Sequence, residues 1–92
     1  MPAPESPRVP RSRSDVVFRQ LDDEWVLFDP RTDQLHVLNL SAAVVWAHCD
    51  GATDIDGIAG ALVEAFSNLP LAQARQDVDT ALAGFREAGL LE

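Results

Sequence analysis

Three short apolar segments separated by polar stretches occupy the first half of the chain. They are Val16–Arg19, Trp25–Phe28 and Leu35–Leu38, and they are rich in β-branched and aromatic residues, which is typical of strands. Between the second and third segments, Asp29-Pro30 opens a turn, because proline fixes φ at the second turn position. The pattern predicts a three-stranded antiparallel meander with short connections.

The third segment is last in this meander and is therefore expected at an edge of the sheet. Its alternation places Leu35 and Val37 on one face and His36 and Leu38 on the other. An edge strand carries unpaired backbone N–H and C=O groups, which an extended peptide can complete as an added strand. The sequence therefore indicates peptide capture at this strand.

After residue 40 the apolar positions change to helical spacing. Ser41 is predicted as the N-cap of a first helix over residues 42–49, with Gly51 as its stop. Thr53 with Asp56 resembles a capping box for a second helix.

A third helix is predicted from about Leu71 to Ala88, ended by Gly89. Gly84 lies inside it and costs about 1 kcal/mol relative to alanine. Close approach of another backbone and simple helix–strand packing explain that glycine equally well.

These elements define an α+β domain, a small winged helix-turn-helix-like fold with a three-stranded antiparallel sheet followed by three helices. We expect the domain to span residues 15–92. Residues 1–14 are rich in Pro, Ser and Arg, a composition that cannot bury enough apolar surface to fold, so we expect a flexible tail there.

The charge of the chain argues against nucleic acid as a partner. Residues 15–92 hold four arginines against fourteen carboxylates, a net charge of −10, and the chain has no lysine. Nucleic-acid affinity depends on cations that neutralise phosphates. We therefore expect the chain not to bind DNA or RNA. No apolar run of membrane-spanning length and no signal-peptide pattern occurs, and the single cysteine suits a reducing compartment. We therefore expect a cytoplasmic protein with no membrane partner.

Candidate chemistry is sparse. His36, His48 and Cys49 are the only soft metal ligands, and they lack the number and spacing of a zinc site. No catalytic triad, phosphate-binding loop or nucleotide signature occurs. We therefore expect no metal, no cofactor and no enzymatic activity.

Five short motifs occur in an order that resembles the PqqD family, the peptide chaperones also called RiPP recognition elements. They are Leu27–Pro30, Leu38-Asn39, Val45-Trp46, Asp50-Gly51 and Gly89–Leu91. The resemblance covers roughly residues 16–92. The proline- and arginine-rich start and the acidic domain also resemble the branch associated with HPr-kinase-related proteins.

The resemblance implies a function and a site. Such a protein captures the leader segment of a precursor peptide as an added strand and presents it to a modifying enzyme. The implied strand is Leu35, His36, Val37 and Leu38, and the implied groove side of the third helix comprises Asp77, Val78, Ala81, Leu82 and Phe85. The partners would be the leader peptide and either a modifying enzyme or an HPr-kinase-related protein.

The chain departs from the family pattern at Asp33, where relatives often carry glycine, and at Leu40, where a polar residue is common. Two other functions stay open at this point. One is a regulatory subunit of a kinase-like partner. The other is a winged-helix transcription factor, which is disfavoured because Arg75 and Arg86 are outnumbered by acids on the third helix.

Overall fold

The structure, a computed structural model, describes residues 9–92. Its elements in chain order are β1 (Val17–Leu21), β2 (Glu24–Asp29), β3 (Gln34–Leu38), α1 (Leu40–Ala47), α2 (Ile55–Ala65) and α3 (Leu71–Glu87). Three antiparallel strands followed by three helices confirm the predicted α+β class. Among residues 9–92, no helix is long and apolar enough to cross a bilayer.

The sheet has the order β1-β2-β3, so β3 forms one edge. In the β2–β3 register, Leu27 pairs with His36 and Trp25 with Leu38. The connecting turn closes where the Asp33 N–H donates to the Asp29 carbonyl at 2.8 Å. Asp33 has a φ of 61°, a left-handed conformation that aspartate tolerates better than most residues. This is the position where relatives often carry glycine, and the turn forms without it.

The helices cover one face of the sheet and enclose a single core. Trp46 of α1 meets Phe85 of α3 edge to face, with ring centroids 5.2 Å apart. Leu90 folds back and is 1% exposed. The largest fully buried apolar side chains come from β2, all three helices and the C-terminal segment: Leu27, Val45, Ile58, Leu62, Val78, Leu82 and Leu90.

Two helices begin at residues other than those expected. Asn39, and not Ser41, caps α1, because its Oδ1 accepts the Ala42 N–H at 2.8 Å. Asp54, and not Thr53, caps α2, accepting the Gly57 N–H at 2.8 Å. In each case two residues suited to N-capping lie close together in the sequence. Long-range packing determines which of them becomes the N-cap.

The structure differs from the predicted flexible tail over residues 1–14 in the last part of that segment. Residues 1–8 lie outside the described residues, but Pro10–Arg13 lies as an extended segment between Cys49–Gly51 and Leu90–Glu92. The Ser12 N–H donates to the Cys49 carbonyl at 2.9 Å, and the Arg13 N–H donates to the Leu90 carbonyl at 2.9 Å. Pairing of the backbone on both sides holds this segment despite its polar composition.

The Arg13 side chain anchors the same segment. Its guanidinium donates to both oxygens of Asp29, at 3.0 and 3.1 Å, and to the Gly89 carbonyl at 2.8 Å. Asp29 is the one buried charged residue of the described chain, at 1% exposure. The two-pronged contact holds the pKa of the Asp29 carboxyl down, at about 2, and raises that of Arg13. One ionic contact thus joins the N-terminal segment, the end of β2 and the end of α3.

Candidate functional site

Among residues 9–92, no strand pairs with the outer edge of β3, and the two faces of this strand differ. Leu35 and Val37 are 57% and 62% exposed on the face away from the helices. His36 and Leu38 lie half-buried on the helix side, where Leu38 packs against the core. The predicted alternation is therefore present, and a peptide added beside β3 would direct alternate side chains toward the helices.

Two points of approach indicate that α3 lies beside β3 with the opposite chain direction. At one end, Asn39, which directly follows β3, shares a groove with Asp77 and Ala81 of α3. At the other end, Arg13 joins Asp29 of the β2–β3 turn to Gly89, just beyond α3. From Ala81 to Glu87, where α3 ends, the helix rises about 9 Å, somewhat less than the length of β3 at about 3.4 Å per residue. The strand and the helix therefore form two walls with a strip of surface between them.

The deepest part of this strip is a groove of about 250 Å³ at the end of β3. Its lining residues are short side chains from the start of α1 and from α3: Asn39, Ser41, Ala42, Asp77, Thr80 and Ala81. Since no long side chain lines it, the groove has room for a side chain brought by a ligand.

The structure separates the five predicted α3 residues into two groups. Asp77 and Ala81 line the groove. Val78 and Leu82 are fully buried, and Phe85 is 5% exposed. These three belong to the core, because they occupy the helical face turned toward α1 and α2. They support the groove from beneath, and in this conformation a ligand at its surface would not reach them.

Four lining residues were not anticipated from the sequence: Asn39, Ser41, Ala42 and Thr80. Thr80 could have been found, because it lies three residues after Asp77 and so shares its helical face. The α1 residues could not, because their position follows from how α1 crosses α3.

Gly84 continues the same face of α3, seven residues after Asp77. It is exposed, and a Cβ placed there would meet no atom within 4 Å. Neither of the two explanations drawn from the sequence, close approach of a backbone or helix–strand packing within the domain, therefore accounts for it. The glycine leaves this face of α3 without a side chain about one turn beyond Ala81.

Asp77 gives the groove its charge. One of its carboxylate oxygens accepts a hydrogen bond from the Gln73 side chain at 2.9 Å. Within residues 9–92, no arginine or histidine lies within ion-pair distance of it. The groove therefore has a carboxylate with a neutral partner at its rim.

A second, different hollow lies on the β1 side of α1. It measures about 190 Å³ and is lined only by apolar side chains: Phe18, Trp25, Leu40, Ala43, Val44 and Ala47. The Phe18 and Trp25 rings are stacked with centroids 5.4 Å apart.

The His48 and Cys49 side chains are engaged in local contacts. The Cys49 thiol donates to the Val45 carbonyl, and the His48 ring bonds the Val44 carbonyl at 2.9 Å. Burial raises the pKa of the Cys49 thiol to about 12. In the described part of the chain, no three His, Cys, Asp or Glu residues form a group that could hold a metal ion.

Comparisons with known proteins agree with this architecture. Residues 24–91 match the family described as coenzyme PQQ synthesis protein D (PqqD). No curated protein matches the chain significantly. A solved structure described as TbiB1 in complex with the TbiA(beta) leader peptide superposes with a TM-score of 0.76 at 21% sequence identity, covering 89% of this chain and 94% of that one.

Proposed function

The chain belongs to the PqqD family, and we propose that it is a non-catalytic adaptor that captures a precursor peptide as an added strand beside β3. The observation that carries this proposal is the open β3 edge with α3 running beside it. The edge offers backbone donors and acceptors, and the strip between the two elements receives alternate side chains. The solved structure with the same fold holds a leader peptide.

The bound peptide would extend the sheet from three strands to four. Main-chain hydrogen bonds to Leu35–Leu38 would supply affinity that is independent of most ligand side chains. Contacts with Asp77, Ala81 and the α1 start would supply selectivity. Leu35 and Val37, exposed on the far face, would stay outside the groove.

In this role the protein would bind the peptide and leave the chemistry to another protein. A captured peptide would be held at one segment while the rest of it reaches a separate modifying enzyme, a gain that comes from effective concentration rather than from new chemistry. We propose such an enzyme, or an HPr-kinase-related protein, as the second partner.

The test uses isotopically labelled full-length chain and a display library of random peptides longer than β3. Peptides selected on the protein are synthesised and titrated by NMR. We expect chemical-shift changes along Gln34–Leu38 and on the Asp77 face of α3, with new slowly exchanging amides on the outward side of β3.

Two results would contradict the proposal. In the first, selected peptides perturb only the apolar hollow around Phe18 and Trp25 and leave β3 and α3 unchanged. In the second, no peptide is selected at all. Either outcome removes β3 as the capture edge.

A further inference from the structure

Resting on the proposed function, we infer that the groove at the end of β3 selects a peptide with a lysine or arginine at the position that faces Asp77. The basis is the imbalance of charge in the groove. Asp77 and Ala81 lie on adjacent turns of α3, and the other lining groups are neutral: hydroxyls, an amide and methyl groups. A carboxylate that receives only a neutral hydrogen bond gains most from a cation.

The groove also provides partners for the rest of a cationic group. An ammonium has three N–H donors, and a guanidinium has five. Ser41 and Thr80 contribute hydroxyl oxygens to the same groove as the Asp77 carboxylate. One cationic side chain could therefore satisfy its donors without displacing any core residue.

The start of α1 opposes this preference and has to be weighed. A helix N-terminus carries about half a positive charge, and α1 has no acidic residue in its first turn. Asn39 already accepts one of the exposed N–H groups, that of Ala42. Asp77 carries a full negative charge, and residues 15–92 carry a net charge of −10, so the balance in the groove remains negative.

Length and alternation then define the ligand more closely. Neighbouring ligand residues that face the helices are two positions apart. With the cation at the Asn39 end, the next inward positions pass Ala81 and then Gly84, where α3 presents little or no side chain. The selected class is an extended peptide with one basic residue and bulkier apolar residues at alternate positions from it.

The experiment compares four proteins in the same library selection: wild type, Asp77→Asn, Asp77→Lys and Asp79→Lys. Asp79 is exposed on another face of α3, so its replacement changes net charge equally without touching the groove. We expect Lys or Arg to be enriched at one position with wild type and with Asp79→Lys. Asp77→Asn should lose this enrichment, and Asp77→Lys should convert it to Asp or Glu.

A charge swap measures the preference for a basic residue quantitatively. The best wild-type peptide and its Lys→Glu or Arg→Glu derivative are titrated against wild type and Asp77→Lys. The derivative should bind wild type at least about tenfold more weakly, and it should recover on Asp77→Lys. A merely structural role of Asp77 would weaken both peptides together.

Different results would contradict the cation inference and the proposed function. If peptides are selected and perturb β3 but show no basic preference, or if Asp77→Lys leaves the preference unchanged, the cation inference is wrong and the proposed function stands. If no peptide is selected, or if selected peptides bind away from β3, the proposed function falls and the cation inference falls with it.

Discussion

The two edges of this sheet offer the same backbone groups in different surroundings. Both β1 and β3 are edge strands, so each has a row of free donors and acceptors. Along β3 a second wall is present, because α3 runs beside it and encloses a groove with polar and apolar lining. Beside β1 lies an apolar hollow of about 190 Å³ against α1. We propose that the β3 side uses both features, the free edge for main-chain pairing and the groove for side-chain selection.

The largest expected effect on peptide affinity comes from removing an outward backbone donor at the β3 edge, with the same change at the β1 edge as the control. Strand amides alternate in direction, so one of His36 and Val37 points its N–H away from β2. Proline at that residue should lower peptide affinity by about 100-fold or more, because it removes a ladder bond and fixes φ. Isothermal titration of both proline variants, with folding checked by circular dichroism, measures this.

The matched pair in β1 is proline at Arg19 and at Gln20. The variant of that pair that stays folded should bind peptide normally. If it loses binding while the β3 variants keep it, the assignment of the two edges is reversed.

A charge in the groove should have the next largest effect. Ala81→Glu places a second carboxylate beside Asp77 in a partly apolar site, and we expect affinity to fall by about tenfold to 100-fold. Ala83→Glu, on an exposed face of α3, is the control and should bind as wild type. Equal losses in both variants would point to net charge and not to the groove.

Gly84 gives a prediction with opposite signs for stability and binding. Gly84→Ala should raise the free energy of unfolding by about 0.5–1 kcal/mol, because alanine favours helix and the added Cβ meets no atom. The same methyl group narrows the strip beside β3, so we expect peptide affinity to fall by about fivefold, equivalent to about 1 kcal/mol.

Gly60→Ala in α2 is the matched control, since a Cβ there also meets nothing within 4 Å. It should stabilise the domain and leave binding unchanged. A Gly84→Ala variant that is stabilised and binds normally would show that α3 does not contact the peptide at that level.

The N-terminal anchor at Arg13 can be loosened at the end of the strip farthest from the groove. Arg13→Ala leaves the buried Asp29 without its cation, and we expect the melting temperature to fall by more than about 5 °C. Peptide affinity below the melting transition should stay within about twofold of wild type. A large loss of affinity would mean that the N-terminal anchor also holds the β3 side in place.

The pH dependence follows from the Asp29 carboxyl. Its pKa in the folded protein is about 2, below the ordinary 3.8, so its contribution to stability is complete above about pH 4 and is lost as the pH falls toward 2. The difference in melting temperature between wild type and Arg13→Ala should therefore shrink over that interval. A constant difference would assign the loss to packing and not to the ionic contact.

The smallest effect is expected from Arg31→Ala, in the turn between β2 and β3. The Arg31 side chain is 71% exposed, and its contact with Asp15 spans 4.0 Å, a geometry that contributes little. Both the melting temperature and peptide affinity should stay close to wild type. Because Arg31 and Arg13 undergo the same substitution, a drop as large as that of Arg13→Ala would contradict the special role given to Asp29.

Local patterns were enough to predict the order of the elements, because alternation and helical spacing depend on neighbouring residues. They predicted the β3 edge, and they predicted Gly89 as the end of α3, where its φ is 74°. They did not predict the place of Arg13, whose contact with Asp29 spans sixteen positions. The low-complexity composition around Arg13 indicated flexibility, and backbone pairing with two distant segments overrides it.

The groove was predicted only in part for a related reason. Helical periodicity identifies which residues share a face of α3, but it does not distinguish the face toward the core from the face toward a ligand when both are apolar. Val78 and Leu82 were therefore grouped with Ala81. The half-buried Asp77 was the better guide, since a charge on an otherwise apolar face marks where solvent begins.

Cys49 also makes the opening of this domain measurable by thiol chemistry. Its sulfur is buried and largely protonated at neutral pH, and its own carbonyl accepts the N–H of Ser12 in the N-terminal segment. A thiol reagent therefore reacts only with molecules in which this region has opened, and with fast reclosing the labelling rate reports the opening free energy. The opening of the native chain can thus be measured without introducing a cysteine by mutation. A peptide bound at β3 should slow the modification of Cys49 by stabilising the closed form.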